Sequence, residues 1–284
     1  MATNRELYFE LKKLVPDKIQ ESEIKLILLD INGFSSFSEL VKNFNEEARN
    51  VTRFQKLVSQ VVSGVPIQYA LGNAPFLDLE LNVSPNVLIP RPETEELVLL
   101  AAKIIKNECA DFGEIKIVDV ATGSGAIAIS LYRRIPGSVL YATDISSRAI
   151  ETAKENAAKY GADIAFLTGD MLKPLMNEKI KVDVIISNPP YIEDESTIED
   201  NVFMNEPHLA LIAKPATKYY EEIFKNVGFI TKRKSWMFFE IGENMEESLT
   251  ILIKKYLPLA DFNFYEDIYK KTRFLFIRND TYEI

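Results

Sequence analysis

Between Ile115 and Ile241 the chain switches repeatedly between two hydrophobic periods, and this switching restricts its fold more than any other feature. Short apolar runs of strand length lie at Ile115–Val120, Val139–Thr143, Ile164–Leu167, Val182–Ser187 and Trp236–Ile241. Helical periodicity fills the intervals Ser124–Arg134, Ser146–Tyr160, Lys218–Val227 and Asn244–Tyr256. A helix that carries the chain back across a sheet returns the next strand parallel to the last. Repeated strand–helix units therefore predict an α/β fold with a doubly wound, mostly parallel sheet. Two further runs, Phe262–Glu266 and Phe274–Arg278, read as strands joined by the basic turn Lys270-Lys271-Thr272-Arg273. They would complete a seven-stranded sheet with an antiparallel edge.

The segment before this alternation has a different character. Leu7, Leu11 and Leu14 recur at helical spacing, as do Ile24, Ile27, Leu28 and Ile31 ahead of the stop signal Asn32-Gly33. Further helices fit Ser36–Phe44 and Glu46–Val62. A small N-terminal helical bundle over residues 1–72 is the expected reading. The period then becomes two: Leu77, Leu79, Leu81 and Val83 alternate with polar residues, and Val87-Leu88-Ile89 is expected to pair with them across Ser84-Pro85-Asn86. This predicts a β-hairpin linker over 73–90, followed by the main domain over 91–284 and a helix from Glu93 to about Asn107.

Charge and composition exclude several function classes. The net charge is −9, and the short basic clusters, Lys232-Arg233-Lys234 among them, read as solvated turns. That balance opposes a phosphate-tracking groove, so direct nucleic-acid binding is not expected. The single cysteine, Cys109, allows no intrachain disulfide and no thiolate metal cluster, and no metal site is expected. No signal region opens Met1-Ala2-Thr3-Asn4-Arg5-Glu6, and no apolar run approaches the length of a membrane span. A cytoplasmic monomer is expected, with no membrane partner.

The loop after the first parallel strand, Asp119-Val-Ala-Thr-Gly-Ser-Gly125, is suited to a nucleoside-bearing cofactor. Ala121, Thr122, Gly123, Ser124 and Gly125 are the candidate binding positions, and the two glycines permit a tight turn and a close approach. Asp144, at the end of the next strand, is placed to accept two ribose hydroxyls or to cap a helix. Gly123-Ser-Gly125-Ala-Ile-Ala128 also matches a loose dinucleotide pattern. An acid before the glycines, and Asp170-Met171 after the third strand, favour S-adenosylmethionine. Asp170 would meet the adenine edge, and Met171 is either its apolar wall or plain core.

Asn188-Pro189-Pro190-Tyr191 follows the fourth strand. Asn188 brings a side-chain carbonyl, the prolines remove donors and fix the backbone, and Tyr191 adds a flat wall. Such a cluster of acceptors grips a planar NH2 group. Delocalisation makes an amide or aromatic amine a poor nucleophile, but holding both N–H bonds aims the lone pair. Positioning of that kind supplies up to roughly 7–11 kcal/mol. Asn188, Pro189 and Tyr191 are therefore the catalytic candidates, and His208, the only histidine, is expected to be structural.

Taken in this order, the motifs resemble the class I, Rossmann-like methyltransferases that act on planar nitrogens. Val87-Leu-Ile-Pro-Arg-Pro-Glu-Thr-Glu-Glu-Leu-Val98, Gly64–Gly72, Glu206–Leu211 and Phe239–Gly242 closely resemble the release-factor glutamine N5-methyltransferase family, the HemK/PrmC type. The resemblance runs from about residue 60 to 278. It implies methyl transfer from S-adenosylmethionine, giving S-adenosylhomocysteine, to the glutamine of the Gly-Gly-Gln loop of peptide-chain release factors. It assigns substrate contacts to Asn188–Tyr191 and makes the helical N-terminal part a recognition domain. Arg91 and Glu93, with Thr94, read either as a helix start or as a segment over the acceptor pocket. The chain departs from the family at Ala121, where glycine is usual, and at Ile212–Thr217. Alternative readings are a ribosomal-protein glutamine methyltransferase, a DNA adenine-N6 methyltransferase, and a cofactor-binding module without catalysis.

Overall fold

The computed structural model describes residues 2–14, 19–109 and 113–280; the side chains of Leu14 and Arg233 lie outside that description, as does Met1. The chain divides into two compact units, Met1–Asn73 with Asp200–Asn205, and Ala74–Glu199 with Glu206–Ile284.

The first unit is helical: α1 (Asn4–Leu14), α2 (Glu21–Asn32), α3 (Phe37–Lys42), α4 (Val51–Val62) and α5 (Ile67–Leu71). Leu7, Leu11, Ile24, Ile27, Leu28, Phe54 and Leu57 close a single apolar core, as the helical spacing requires. Helix α4 begins later than the sequence suggests. Its N-cap is Asn50, whose side chain accepts the Arg53 N–H, and Glu47 lies outside the helix in a bridge to Thr3. Helix α5 is only five residues long, too short for a helical period to show, although Ile67 and Tyr69 are buried.

The second unit opens on a hairpin of β1 (Asn73–Phe76) and β2 (Leu79–Asn82). Its partner is not Val87–Ile89, as the alternation implied. Leu77-Asp78 forms the turn, with Leu77 at φ 52, and Val87 and Ile89 are buried without entering a strand. Side chains from elsewhere satisfy the hairpin's free amides: Asn156 Oδ1 accepts from Asn82 N at 2.7 Å, and Tyr160 Oη accepts from Glu80 N at 2.7 Å.

Then follow α6 (Pro92–Glu108), β3 (Lys116–Val120), α7 (Ala126–Arg134), β4 (Val139–Asp144), α8 (Ser147–Lys159), β5 (Ile164–Thr168), α9 (Lys173–Asn177) and β6 (Val182–Ser187). Helix α10 (Asp200–Asn205) groups with the helical unit, where Asn205 Nδ2 donates to the Gly64 carbonyl at 2.9 Å. The chain ends with α11 (Lys218–Ile230), β7 (Thr231–Glu240), α12 (Glu246–Tyr256), β8 (Asp261–Glu266) and β9 (Thr272–Asp280).

The sheet has seven strands in the order β5-β4-β3-β6-β7-β9-β8. Strands β3 to β7 are parallel, and β9 is antiparallel to both β7 and β8. Two apolar layers cover it, one under α6, α7 and the hairpin, the other under α11 and α12. Phe224, Phe238, Phe239 and Phe274 are fully buried between them, each contributing about 1.5–3 kcal/mol of burial energy. The expected doubly wound topology is therefore present.

Lys232-Arg233-Lys234 is not a turn but the first part of β7. The charge is tolerated because Lys232 Nζ pairs at 2.8 Å with Asp183, a buried carboxylate on the neighbouring strand. The second basic cluster fits its reading better: Lys271 closes the turn before β9, while Arg273 is already inside that strand.

Candidate functional site

Strand order reverses between β3 and β6, because β4 and β5 continue on one side and β7 on the other. A ligand crevice forms at such a switch point, outside the carboxyl ends of the strands. Val120 and Ser187 are register partners there, and Ser187 Oγ donates to the Val120 carbonyl at 2.6 Å. Ala121 and Asn188 thus leave the sheet side by side. A cavity of about 420 Å3 lies at this point. Of the residues singled out from sequence, Ala121, Gly123, Asp144, Asp170, Met171, Asn188 and Pro190 line it.

Several loop residues do their work beneath the cavity. Thr122 and Ser124 are buried and cap nothing with their hydroxyls; the N-cap of α7 is Gly125. Thr122 Oγ1 instead donates to Asp119 Oδ2 at 2.5 Å, and the same oxygen accepts the Ala128 N–H at 3.1 Å. Asp119 Oδ2 therefore satisfies one of the free amides at the start of α7. Its Oδ1 is buried with no hydrogen-bond partner, and burial raises its carboxyl to about 7. Gly125 has φ 83, and a Cβ there would come within 3.2 Å of Ala153 and Ile129, so both conformation and packing demand glycine. Ala121 has φ 60, a conformation that costs a residue with a Cβ roughly 1–2 kcal/mol.

Asp144 is held from below. Its Oδ2 accepts the Gly123 N–H and its Oδ1 accepts the Ser146 N–H, both at 2.9 Å. A carboxylate has about four acceptor positions, so two remain for a ligand. Burial raises its pKa against the pull of those amides. The N-cap of α8 is Ser146 rather than Asp144. Met171 is buried at the cavity wall with its carbonyl tied by Thr143 Oγ1 at 3.0 Å. Asp170 forms a 2.5 Å ion pair with Lys173.

On the other side, Asn188 Nδ2 donates to Thr94 Oγ1 at 3.0 Å. Thr94 Oγ1 donates to Glu240 Oε2 at 2.6 Å, and the Tyr191 hydroxyl donates to Glu240 Oε1 at 3.3 Å. Glu240 is buried at the end of β7, which pushes its carboxyl up to about 7; burial also raises Tyr191. Pro189 is buried and, like Tyr191, is not part of the cavity lining. Arg91 does not line the cavity. Its guanidinium pairs at 2.6 Å with Glu206, whose other oxygen accepts the Ile89 N–H at 3.1 Å. Glu93 is half-buried in the first turn of α6 and also lies outside the cavity lining. The divergent Ile212–Thr217 loop is absent from the lining too. Ile212 bridges Ile192, Lys214 pairs with Glu195 at 2.6 Å, and Ala216 N donates to Glu193.

Some residues of the site escaped the sequence reading. Ile145, Tyr219 and Glu222 line the cavity without any local motif, and Leu209, in the short 3-10 turn of the Glu206–Leu211 segment, lines it without having been singled out as a site residue. Thr94 and Glu240 lie 146 residues apart, and only the packing of α6 beside β7 brings them together. Among the described residues no group of three or more His, Cys, Asp or Glu could hold a metal ion, and no helix is long and apolar enough to cross a membrane.

The family model "Methyltransferase small domain" matches residues 99–210. The release factor glutamine methyltransferase of Staphylococcus aureus is 39% identical over 253 residues, 88% of this chain and 89% of that protein. That of Bacillus subtilis is 34% identical over 259 residues, 89% of this chain and 90% of that protein. Among solved structures, a methyltransferase from Pyrococcus furiosus superposes with a TM-score of 0.51 at 14% identity, covering 79% of this chain and 98% of that one, which supports the fold alone. With that identity over nearly the whole length of both proteins, the chain belongs to the release factor glutamine methyltransferase family.

Proposed function

We propose that this enzyme transfers a methyl group from S-adenosylmethionine to the side-chain amide nitrogen of the glutamine in the Gly-Gly-Gln loop of peptide-chain release factors. One observation carries the reading: Ala121 and Gly123 of the glycine loop, Asp144, and Asn188 and Pro190 of the acceptor cluster line one cavity at the sheet's switch point. Both halves of a two-substrate transfer are thereby adjacent.

The residues present fit the cofactor. The cavity of about 420 Å3 lies in the size range of small-molecule and cofactor sites. Gly123 lines it, and a Cβ there would enter open space. Asp144 would take the ribose hydroxyls on its two remaining acceptor positions, Met171 would flank the base, and Ala121 and Gly123 would carry the methionine end. When bound, S-adenosylmethionine supplies a methyl group on a positively charged sulfur.

The acceptor side does the remaining work. Asn188 Oδ1 and the Pro189 carbonyl would accept the two hydrogens of the glutamine amide. Tyr191 would hold the planar group flat, so that the nitrogen lone pair faces the methyl carbon. The held nitrogen would form its new bond to the methyl carbon with the methyl–sulfur electron pair left on sulfur. The cationic nitrogen is strongly acidic and loses its extra proton to water, so no histidine base is required. We assign the helical unit, residues 1–72, to recognition of the release factor, residues 73–90 to the linker and 91–284 to catalysis. The reaction belongs in the cytoplasm, where release factors act.

The test is transfer of labelled methyl to purified release factor. Label is expected on the wild-type factor and absent after Gln→Ala in the Gly-Gly-Gln loop. Labelling of a ribosomal protein in preference to the factor would reassign the acceptor.

A further inference from the structure

We propose that Thr94 is a positioning residue for methyl transfer: its hydroxyl, anchored on Glu240, fixes the Asn188 amide with Oδ1 directed to the acceptor nitrogen. The inference rests on the acceptor role given to Asn188 above.

The two ends of an asparagine amide have nearly the same shape, and one donates while the other accepts. Which end faces a substrate must therefore be set by a neighbour. Here the neighbour is a hydroxyl with a single proton. A carboxylate only accepts, so the Thr94 proton is committed to Glu240 Oε2 at 2.6 Å. Thr94 Oγ1 then presents only lone pairs to Asn188, and the amide must turn its Nδ2 toward it, as the 3.0 Å contact records. Oδ1 is left for the cavity that Asn188 lines. Glu240 cannot drift, because Tyr191 donates to its Oε1 and Tyr220 Oη donates to its backbone carbonyl at 2.6 Å. Thr94 cannot drift either: it is buried in the first turn of α6, with its N–H on the Arg91 carbonyl at 3.1 Å. A threonine whose only task was to begin a helix would not need a buried carboxylate beneath it.

The relay has a direction that depends on ionisation. If Glu240 gains a proton it can donate to Thr94, and Thr94 can then donate to Asn188. The amide would turn over and offer Nδ2 to a substrate nitrogen that itself carries hydrogens. The groups that face Glu240 are Thr94 and Glu93 from α6, Tyr191 after β6, Arg273 from β9 and Tyr220 from α11. Ionised Glu240 is thus the working form, and burial holds its carboxyl near the pH of the cell.

The experiment compares the parent with Thr94→Val and Thr94→Ser for methylation of release factor, with S-adenosylmethionine binding and thermal melting measured in parallel. Valine keeps the volume and removes the hydroxyl. We expect kcat to fall about 10- to 100-fold in Thr94→Val, the cost of a misaimed reactant. Cofactor Kd should stay within about 3-fold, and Thr94→Ser should recover kcat to within about 3-fold. The parent should lose kcat as pH falls through about 7, and Thr94→Val should not follow that limb. A Thr94→Val enzyme within about 2-fold of the parent in kcat would overturn the proposal. So would a Thr94→Ser enzyme as impaired as the valine variant. If the parent itself transfers no methyl to release factor, the acceptor assignment fails and takes this proposal with it; an active parent with an unimpaired valine variant refutes the positioning role alone.

Discussion

Replacing Asp119 by asparagine should make stability less sensitive to alkaline pH. Asp119 is fully buried under the glycine loop, and its carboxyl is raised from 3.8 to about 7, chiefly by burial. A carboxyl raised on folding contributes stability that is complete below its unfolded value and is lost as pH rises through its folded value. The window here runs from 3.8 to about 7. Above it, the ionised group costs about 4 kcal/mol relative to a neutral one. Between about pH 5.5 and about pH 8, roughly 2 kcal/mol of that appears. Asparagine keeps the oxygen that accepts from Thr122 and Ala128, but places an NH2 where Oδ1 has no partner. That fixed cost of about 1–3 kcal/mol does not vary with pH. Glu240 titrates in the same range but is present in both proteins, so it cancels in the difference. The assay is urea unfolding followed by Trp236, the single tryptophan, which lies in β7 of the second unit. The stability of Asp119→Asn relative to the parent should rise by about 2 kcal/mol between the two pH values. A difference that stays constant, or that moves the other way, refutes the reasoning.

Asn188→Ala should lower kcat by about 100-fold or more while cofactor binding, measured by calorimetry, changes little. Asp144→Ala should do the reverse, weakening S-adenosylmethionine about 10- to 100-fold through the loss of charged hydrogen bonds, with transfer partly recovered at high cofactor. Ala121→Gly relieves a left-handed alanine at φ 60. Strain relief of about 1–2 kcal/mol, set against about 0.4–1 kcal/mol of added unfolded freedom, should leave the protein between about 0 and 1.6 kcal/mol more stable in urea unfolding.

The parts of the fold carried by local periodicity could be read directly. Val182–Ser187 is wholly buried and was recognisable as a strand covered on both faces, and the loops after β3 and β6 stood out by residue type. Long-range compensation could not be read. Thr231–Lys234 looks polar, and only Asp183 on β6 explains why a lysine continues the strand. Asn73-Ala-Pro-Phe76 carries a proline and little β propensity, so the first hairpin strand was invisible and its turn at Leu77 was mistaken for strand. In the site, Asp144 and Asn188 advertise themselves by position. Thr94 and Glu240 do not, since what joins them is the seating of α6 beside β7.

The grouping of α10 with the helical unit has a consequence for dissection. The chain passes between the two units three times, at 73–74, 199–200 and 205–206. A single cut after Asn73 therefore does not yield two whole parts, because the larger fragment keeps Asp200–Asn205 without the residues it packs among. Fragments prepared to separate the two units should also replace that helix with a short polar bridge between Glu199 and Glu206. Otherwise a short helical segment remains on the larger fragment without its own unit.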